Sequence, residues 1–125
     1  MVLCINVIDH GMNPADSVRE LERVLKPEGT LLFMVNTFNL PKAIRSVLWI
    51  VDRPHPHHLN DKEVLQFLND SGLKIDFHSI KKSGIDIVLS YIKSGYITPA
   101  ITNFFAILLG IRRSYYICSK RCDAR

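Results

Sequence analysis

Glycine is sparse in this chain. Its six glycines spread over 125 residues, and none falls in a G-x-G-x-x-G or G-x-G-x-G pattern. A phosphate-cradling loop of the dinucleotide-binding kind is therefore absent from these residues. Cysteine is scarce as well: Cys4, Cys118 and Cys122 are odd in number and form no C-x-x-C pair. That argues against a disulfide framework and a structural zinc site, and it predicts a reducing, cytoplasmic setting. The N-terminus does not read as a secretory leader, since no basic region precedes its apolar run and Asn6 and Asp9 interrupt it. No apolar run reaches the roughly 20 residues that span a bilayer. Acids thin out toward the end. Residues 76–125 hold eight Lys/Arg against three Asp/Glu, whereas residues 1–75 hold eight against nine. The cations are scattered rather than clustered, so they predict a solvated surface and no nucleic-acid partner.

What is present is a globular composition. Apolar residues make up 47%, charged residues 22%, and the net charge is only +4, which excludes a disordered chain. The length allows one domain. It is short for a complete α/β enzyme with helices on both faces of a sheet of five or more strands.

Val2 to Ile8 (VLCINVI) reads as a buried strand. Asn13 is placed to cap a helix that starts at Pro14, with Val18, Leu21, Val24 and Leu25 on its apolar face. Lys26-Pro27-Glu28-Gly29 reads as a type I turn. Thr30 to Val35 (TLLFMV) is a second apolar strand. Residues 2–36 thus form a βαβ unit, which predicts a parallel sheet covered on both faces with a right-handed crossover. Ligands of such sheets bind beyond the carboxyl ends of the strands, here Asn6 to His10 and Asn36 to Asn39.

Residues 40–51 predict an amphipathic helix, and the prolines of residues 53–58 an extended linker. Asn60 and Glu63 form a capping-box pair at the start of the next helix, which Gly72 ends. Leu73 to Ile80 is a third strand, with Leu73, Ile75 and Phe77 alternating against Lys74, Asp76 and His78. Residues 85–111 hold one acid and one lysine and predict one or two buried or lid helices. Ser114 to Ser119 is a last strand.

Assembled in this order, the residues resemble the second half of a class I S-adenosylmethionine-dependent methyltransferase. Three stretches carry the resemblance: the strand ending NVIDH, the helix and turn SVRELERVLKPEG, and the strand TLLFMVN. The later HPHHLNDKEVLQFLNDSGLKI is similar to the family's next helix and sixth strand, and SYYICSKR to its antiparallel seventh. The resemblance implies a Rossmann-like α/β sheet, C-terminal portion, strands four to seven, whose N-terminal half with the Gly-rich loop and the ribose-binding acid is missing. Within it, 2–36 is the core unit, 40–58 a substrate-side segment and 84–112 an apolar insertion or lid. The implied cofactor is S-adenosylmethionine, bound weakly by this chain alone. The implied reaction is methyl transfer to a small, apolar acceptor.

By the same resemblance Asn6, Val7, Asp9 and His10 flank the methionine end of the cofactor, and His10 is the candidate base, its ordinary pKa near 6.5 suiting that task. The alternative is that Asn6 and Asp9 only cap the strand and helix. Asn36, Phe38, Trp49, His55, His57 and His58 are the acceptor-side candidates, Trp49 and Phe38 as apolar walls. Asn6-x-x-Asp9-His10 also resembles the E-x-x-E-H stretch of coenzyme-Q-pathway O-methyltransferases, but Asn replaces the first acid, and no metal is expected. Two further readings stay open: self-association through an exposed sheet edge, and contact of Ile101 to Ile111 with a membrane surface.

Overall fold

The computed structural model describes residues 1–50, 56–82 and 84–121. In chain order its elements are β1 (Val2–Ile5), α1 (Pro14–Val24), β2 (Thr30–Phe38), α2 (Lys42–Arg45), α3 (Asp61–Asp70), β3 (Leu73–Lys82), α4 (Ile85–Lys93), α5 (Ile97–Leu108) and β4 (Ile111–Lys120). The four strands form one sheet in the order β1-β2-β4-β3. β1 and β2 run parallel, as the βαβ reading predicts, and β4 is antiparallel to both β2 and β3.

α1 forms where the sequence places it. The Asn13 side chain accepts a hydrogen bond from the Ala15 amide at 3.0 Å, and Pro14 fills the first helical position. The helix buries Val18 against the sheet. α3 starts on a complete capping box: Asn60 Oδ1 accepts from the Glu63 amide at 2.8 Å, and Glu63 Oε2 accepts from the Asn60 amide at 2.9 Å. It buries Val64 and Leu68 beside Leu31, Phe33, Val35, Leu73, Tyr116 and Cys118. Burying a Leu or Val side chain contributes about 2 kcal/mol, so this face holds the fold together. Lys120 ties the far end of β4 to α1 by donating to the carbonyls of Glu22 and Leu25 at the helix C-terminus, where a cation opposes the negative end of the helix dipole.

Several expectations change. The first strand ends at Ile5, not Ile8, because Asn6 adopts a left-handed backbone (φ 50°) and residues 8–10 wind into a 3-10 turn. The Lys26–Gly29 turn is not type I. Glu28 sits at φ 59°, the positive value that the third residue of a type II turn requires and that glycine adopts without strain. Gly29 cannot be replaced freely, since an added Cβ would lie 2.7 Å from the Lys26 carbonyl oxygen. The helix expected over 40–51 is cut short after Arg45, and residues 48–50 form a separate 3-10 turn. There the Ser46 hydroxyl donates to the Ala43 carbonyl, a local bond that competes with helix continuation. The expected linker lies partly outside the described residues.

β3 begins with the expected alternation and then reverses it. A bulge between Ile75 and Phe77 leaves Asp76 unpaired in the register. One extra residue flips every later side chain to the opposite face, so His78 turns inward onto Tyr116 and Phe77 outward. The largest correction concerns layering. Among the described residues only one face of the sheet is covered by helices. On the other, Leu3, Ile5, Leu32, Met34, Phe77, Tyr115 and Ile117 line an open apolar hollow of about 490 Å³. Residues 85–111 do fold as two helices that pack on one another, but apart from Val88 and Ala100 most of their apolar side chains are exposed.

Candidate functional site

The carboxyl ends of β1 and β2 lie side by side, joined by the Asn6 amide donating to the Met34 carbonyl at 2.8 Å. The left-handed turn at Asn6 swings the chain off the sheet and into the 3-10 turn that carries Ile8, Asp9 and His10. Asn6 Oδ1 is buried and accepts no hydrogen bond among the described residues. An acceptor left in that state costs about 1–3 kcal/mol, so Asn6 is poised for a donor. Val7 is exposed, Asp9 is buried, and His10 Nε2 stands 3.9 Å from Asp9 Oδ1 with its ring partly exposed. Cys4, one turn of the pleat before Asn6, is buried; that burial, and then the Asp9 charge, push its thiol pKa up, which makes it a core residue and not a nucleophile. The structure thus brings Asn6, Val7, Asp9 and His10 to one edge.

The acceptor-side residues gather at the end of β2 and before α3. Asn36 is half-buried, and its register partner is Arg113. Phe38 is buried, with its amide donating to the Leu59 carbonyl at 2.8 Å and its ring edge-on to His58 at 4.8 Å between centroids. His58 is buried and His57 half-buried. His55 lies outside the described residues, as does the placement of the Trp49 side chain. The segment is pinned by Arg45, which is only 6% exposed. Its guanidinium donates to the carbonyls of Leu40 and His58 and to both carboxylate oxygens of Glu63, at 2.7 and 3.0 Å. Burial raises the Glu63 pKa, but the Arg45 and Asn60 hydrogen bonds and the Arg45 charge outweigh it and hold the carboxyl below its ordinary value.

Sequence reading missed one polar cluster. Tyr116 donates to Asp61 Oδ1 at 2.6 Å, His78 Nε2 lies 3.0 Å from the same oxygen, and the His78 and Tyr116 rings stack at 4.6 Å. Burial and then the Asp61 hydrogen bond push the Tyr116 pKa far up, so the phenol stays protonated and ties α3 to the sheet. Nothing in the sequence signals this contact, because the bulge at Asp76 creates it. No cluster of three or more metal-ligating side chains occurs among the described residues, and no helix among them is long and apolar enough to cross a membrane.

Residues 1–33 match the family model described as a methyltransferase domain. No curated protein matches the chain by sequence. Among solved structures, the chain is similar to phosphoethanolamine N-methyltransferase 2 of Haemonchus contortus in complex with phosphomonomethylethanolamine and S-adenosylhomocysteine. The TM-score is 0.66 at 12% identity, over 97% of this chain and 33% of that one. It is also similar to an arsenic(III) S-adenosylmethionine methyltransferase of Chlamydomonas reinhardtii, with TM-score 0.55 and 17% identity over 98% of this chain and 38% of that one. The cyclase SpnF shares the fold at TM-score 0.63 and 15% identity, over 94% of this chain and 49% of that one. The chain thus spans a third to a half of the length of these three structures. With strand order β1-β2-β4-β3 and a βαβ start that matches a methyltransferase-domain model over residues 1–33, the chain shares the Rossmann-like α/β fold of these neighbours and matches the C-terminal portion of a methyltransferase fold.

Proposed function

We propose that this chain forms the acceptor-side part of a site for S-adenosylmethionine-dependent methyl transfer to a small, apolar molecule. The observation that carries the reading is the buried, unpartnered Asn6 Oδ1 at the carboxyl end of β1, where open α/β sheets bind ligands. An amide oxygen suits the ammonium group at the methionine end of the cofactor, which has only donors to offer. When bound, S-adenosylmethionine supplies an electrophilic methyl group on a sulfonium.

The chain's own residues would position and exclude water. Asn6, Val7 and Asp9 hold the methionine end, and His10 takes a proton where the acceptor must lose one. Asn36, Phe38, His57 and His58 shape the acceptor side, with the Arg45–Glu63 pair fixing the segment that carries the two histidines. The adenosine end finds no Gly-rich loop in these residues.

The open sheet face supports an extension of this reading. β1 is an edge strand, and an unpaired edge beside an apolar face invites a further strand. A strand-and-helix half-domain supplied by a further segment or a partner would complete both.

Amide shift mapping during titration with S-adenosylmethionine tests the site. Weak binding with shifts confined to Asn6–His10 is expected, and Asn6→Leu should abolish them. Shifts that spare this turn would sink the assignment of Asn6, and micromolar affinity would contradict the missing adenosine pocket.

A further inference from the structure

α4 and α5 depart from ordinary surface helices. Such a helix turns its apolar stripe to the core. Here Ile97, Ile101, Phe104, Phe105 and Leu108 stand at helical spacing along α5, and all are exposed, Phe105 at 53% and Leu108 at 66%. Ile85, Leu89 and Ile92 do the same on α4. Only Val88 and Ala100 are buried in the two helices. Between them lies a wholly apolar cavity of about 430 Å³. An exposed apolar surface of this extent marks an interaction face.

The root of the hairpin says what kind of partner. In the sheet register Asn36, Arg113 and Lys81 form one row, and Thr37, Arg112 and Lys82 the next. Each row sets two cations directly opposite one another, a destabilising arrangement in a sheet. Neither row holds an acid, and among the described residues none of the four cations forms an ion pair. Among the described residues Lys81 lies over the face of Tyr115, 5.7 Å away. An apolar projection with a cationic collar matches an anionic lipid surface: the side chains enter the acyl boundary while the collar meets phosphates. α5, at 12 residues, is about 18 Å long, far short of a bilayer's ~30 Å core, so the hairpin would lie in the interface and not span it.

We propose that the α4–α5 hairpin docks this protein on an anionic lipid surface. The hairpin leaves the sheet beside the carboxyl end of β2, where Phe38 pairs with Ile111 and the Asn39 amide donates to the Gly110 carbonyl at 2.9 Å. Docking therefore holds that end of the sheet toward the lipid. On the methyl-transfer reading above, this makes the acceptor a molecule of the lipid phase.

Vesicle flotation without cofactor tests the docking independently of methyl transfer. The chain should float with phosphatidylcholine vesicles containing phosphatidylglycerol, and far less with phosphatidylcholine alone or in high salt. Phe104→Glu with Phe105→Glu should cut binding about 10-fold or more, and Lys81→Gln with Arg113→Gln about 10-fold. Phe77→Glu, on the open sheet face, should leave it unchanged. Failure of the folded chain to float would overturn the proposal. So would loss of binding on Phe77→Glu but not on the hairpin variants, or light scattering that shows the hairpin sealed in a dimer. Should the double glutamate variant not fold, Phe105→Trp in a Trp49→Phe background gives a second readout. Quenching by brominated lipid is expected, and its absence counts against docking.

Discussion

α1 and α3 differ from α4 and α5 in one respect that decides their roles. All four are amphipathic. The first pair turns its apolar stripe to the sheet and buries Val18, Val64 and Leu68; the second turns it to solvent. The difference lies in what each pair packs against. α1 and α3 lie over the apolar rows of β2 and β4, whereas α4 and α5 connect β3 to β4 at the end of the sheet where the register rows are cationic. Amphipathicity therefore fixes that a face wants cover. It does not say whether this chain supplies the cover.

Five substitutions can break or sharpen that contrast. Leu68→Ala should cost about 3–5 kcal/mol in urea unfolding, because Leu68 is fully buried. Phe105→Ala should change stability by less than about 0.5 kcal/mol. Equal effects would mean that the hairpin is part of the core.

Glu63→Gln should cost about 3 kcal/mol, since it strands the buried Arg45 guanidinium without its carboxylate. The effect depends on pH with a definite sign. The folded-state pKa of Glu63 lies below its ordinary 4.5. Its contribution is thus complete above that value and is lost as pH falls through the lower folded pKa. Wild type should lose stability on acidification below that point, and the variant should follow a flatter curve there. A parallel pair of curves would mean that the ion pair contributes nothing.

Asn60→Ala should cost about 1 kcal/mol through loss of the α3 cap. α4, whose N-cap Gly84 offers no side chain, has no such sensitivity to lose. The last effect is a gain. Glu28→Gly should stabilise by about 0.5–1 kcal/mol, because glycine adopts φ 59° without strain. A loss of stability would show that the Glu28 side chain contributes more than its backbone costs.

The sequence was a good guide wherever a local rule decides. Asn13 and Asn60 announce their caps because a side-chain acceptor two or three residues before an orphan amide is a local geometry. The βαβ unit is legible because two apolar strands and one amphipathic helix of these lengths have few ways to pack. The turn at Glu28 misled because a Pro at its second position suits both type I and type II, and only the backbone angle separates them. At His78 the alternation failed, since a bulge is set by the partner strand and leaves no mark on its own.

The candidate site was legible only in part. Asn6, Val7, Asp9 and His10 share one edge because they share one turn of chain, which their spacing already implies. That Asn6 Oδ1 ends buried and without a partner follows from the left-handed turn against β2. The Asp61–His78–Tyr116 contact joins residues 17 and 55 positions apart, and spacing carries no trace of it.

By itself, then, the sequence determined the elements, their caps and the α/β order, because propensity, periodicity and capping act within about ten residues along the chain. Only the tertiary structure decided which apolar faces are covered. It left one sheet face and the α4–α5 hairpin open, because burial depends on a surface brought from elsewhere, and hydrophobic attraction is non-directional and cannot name that surface in advance.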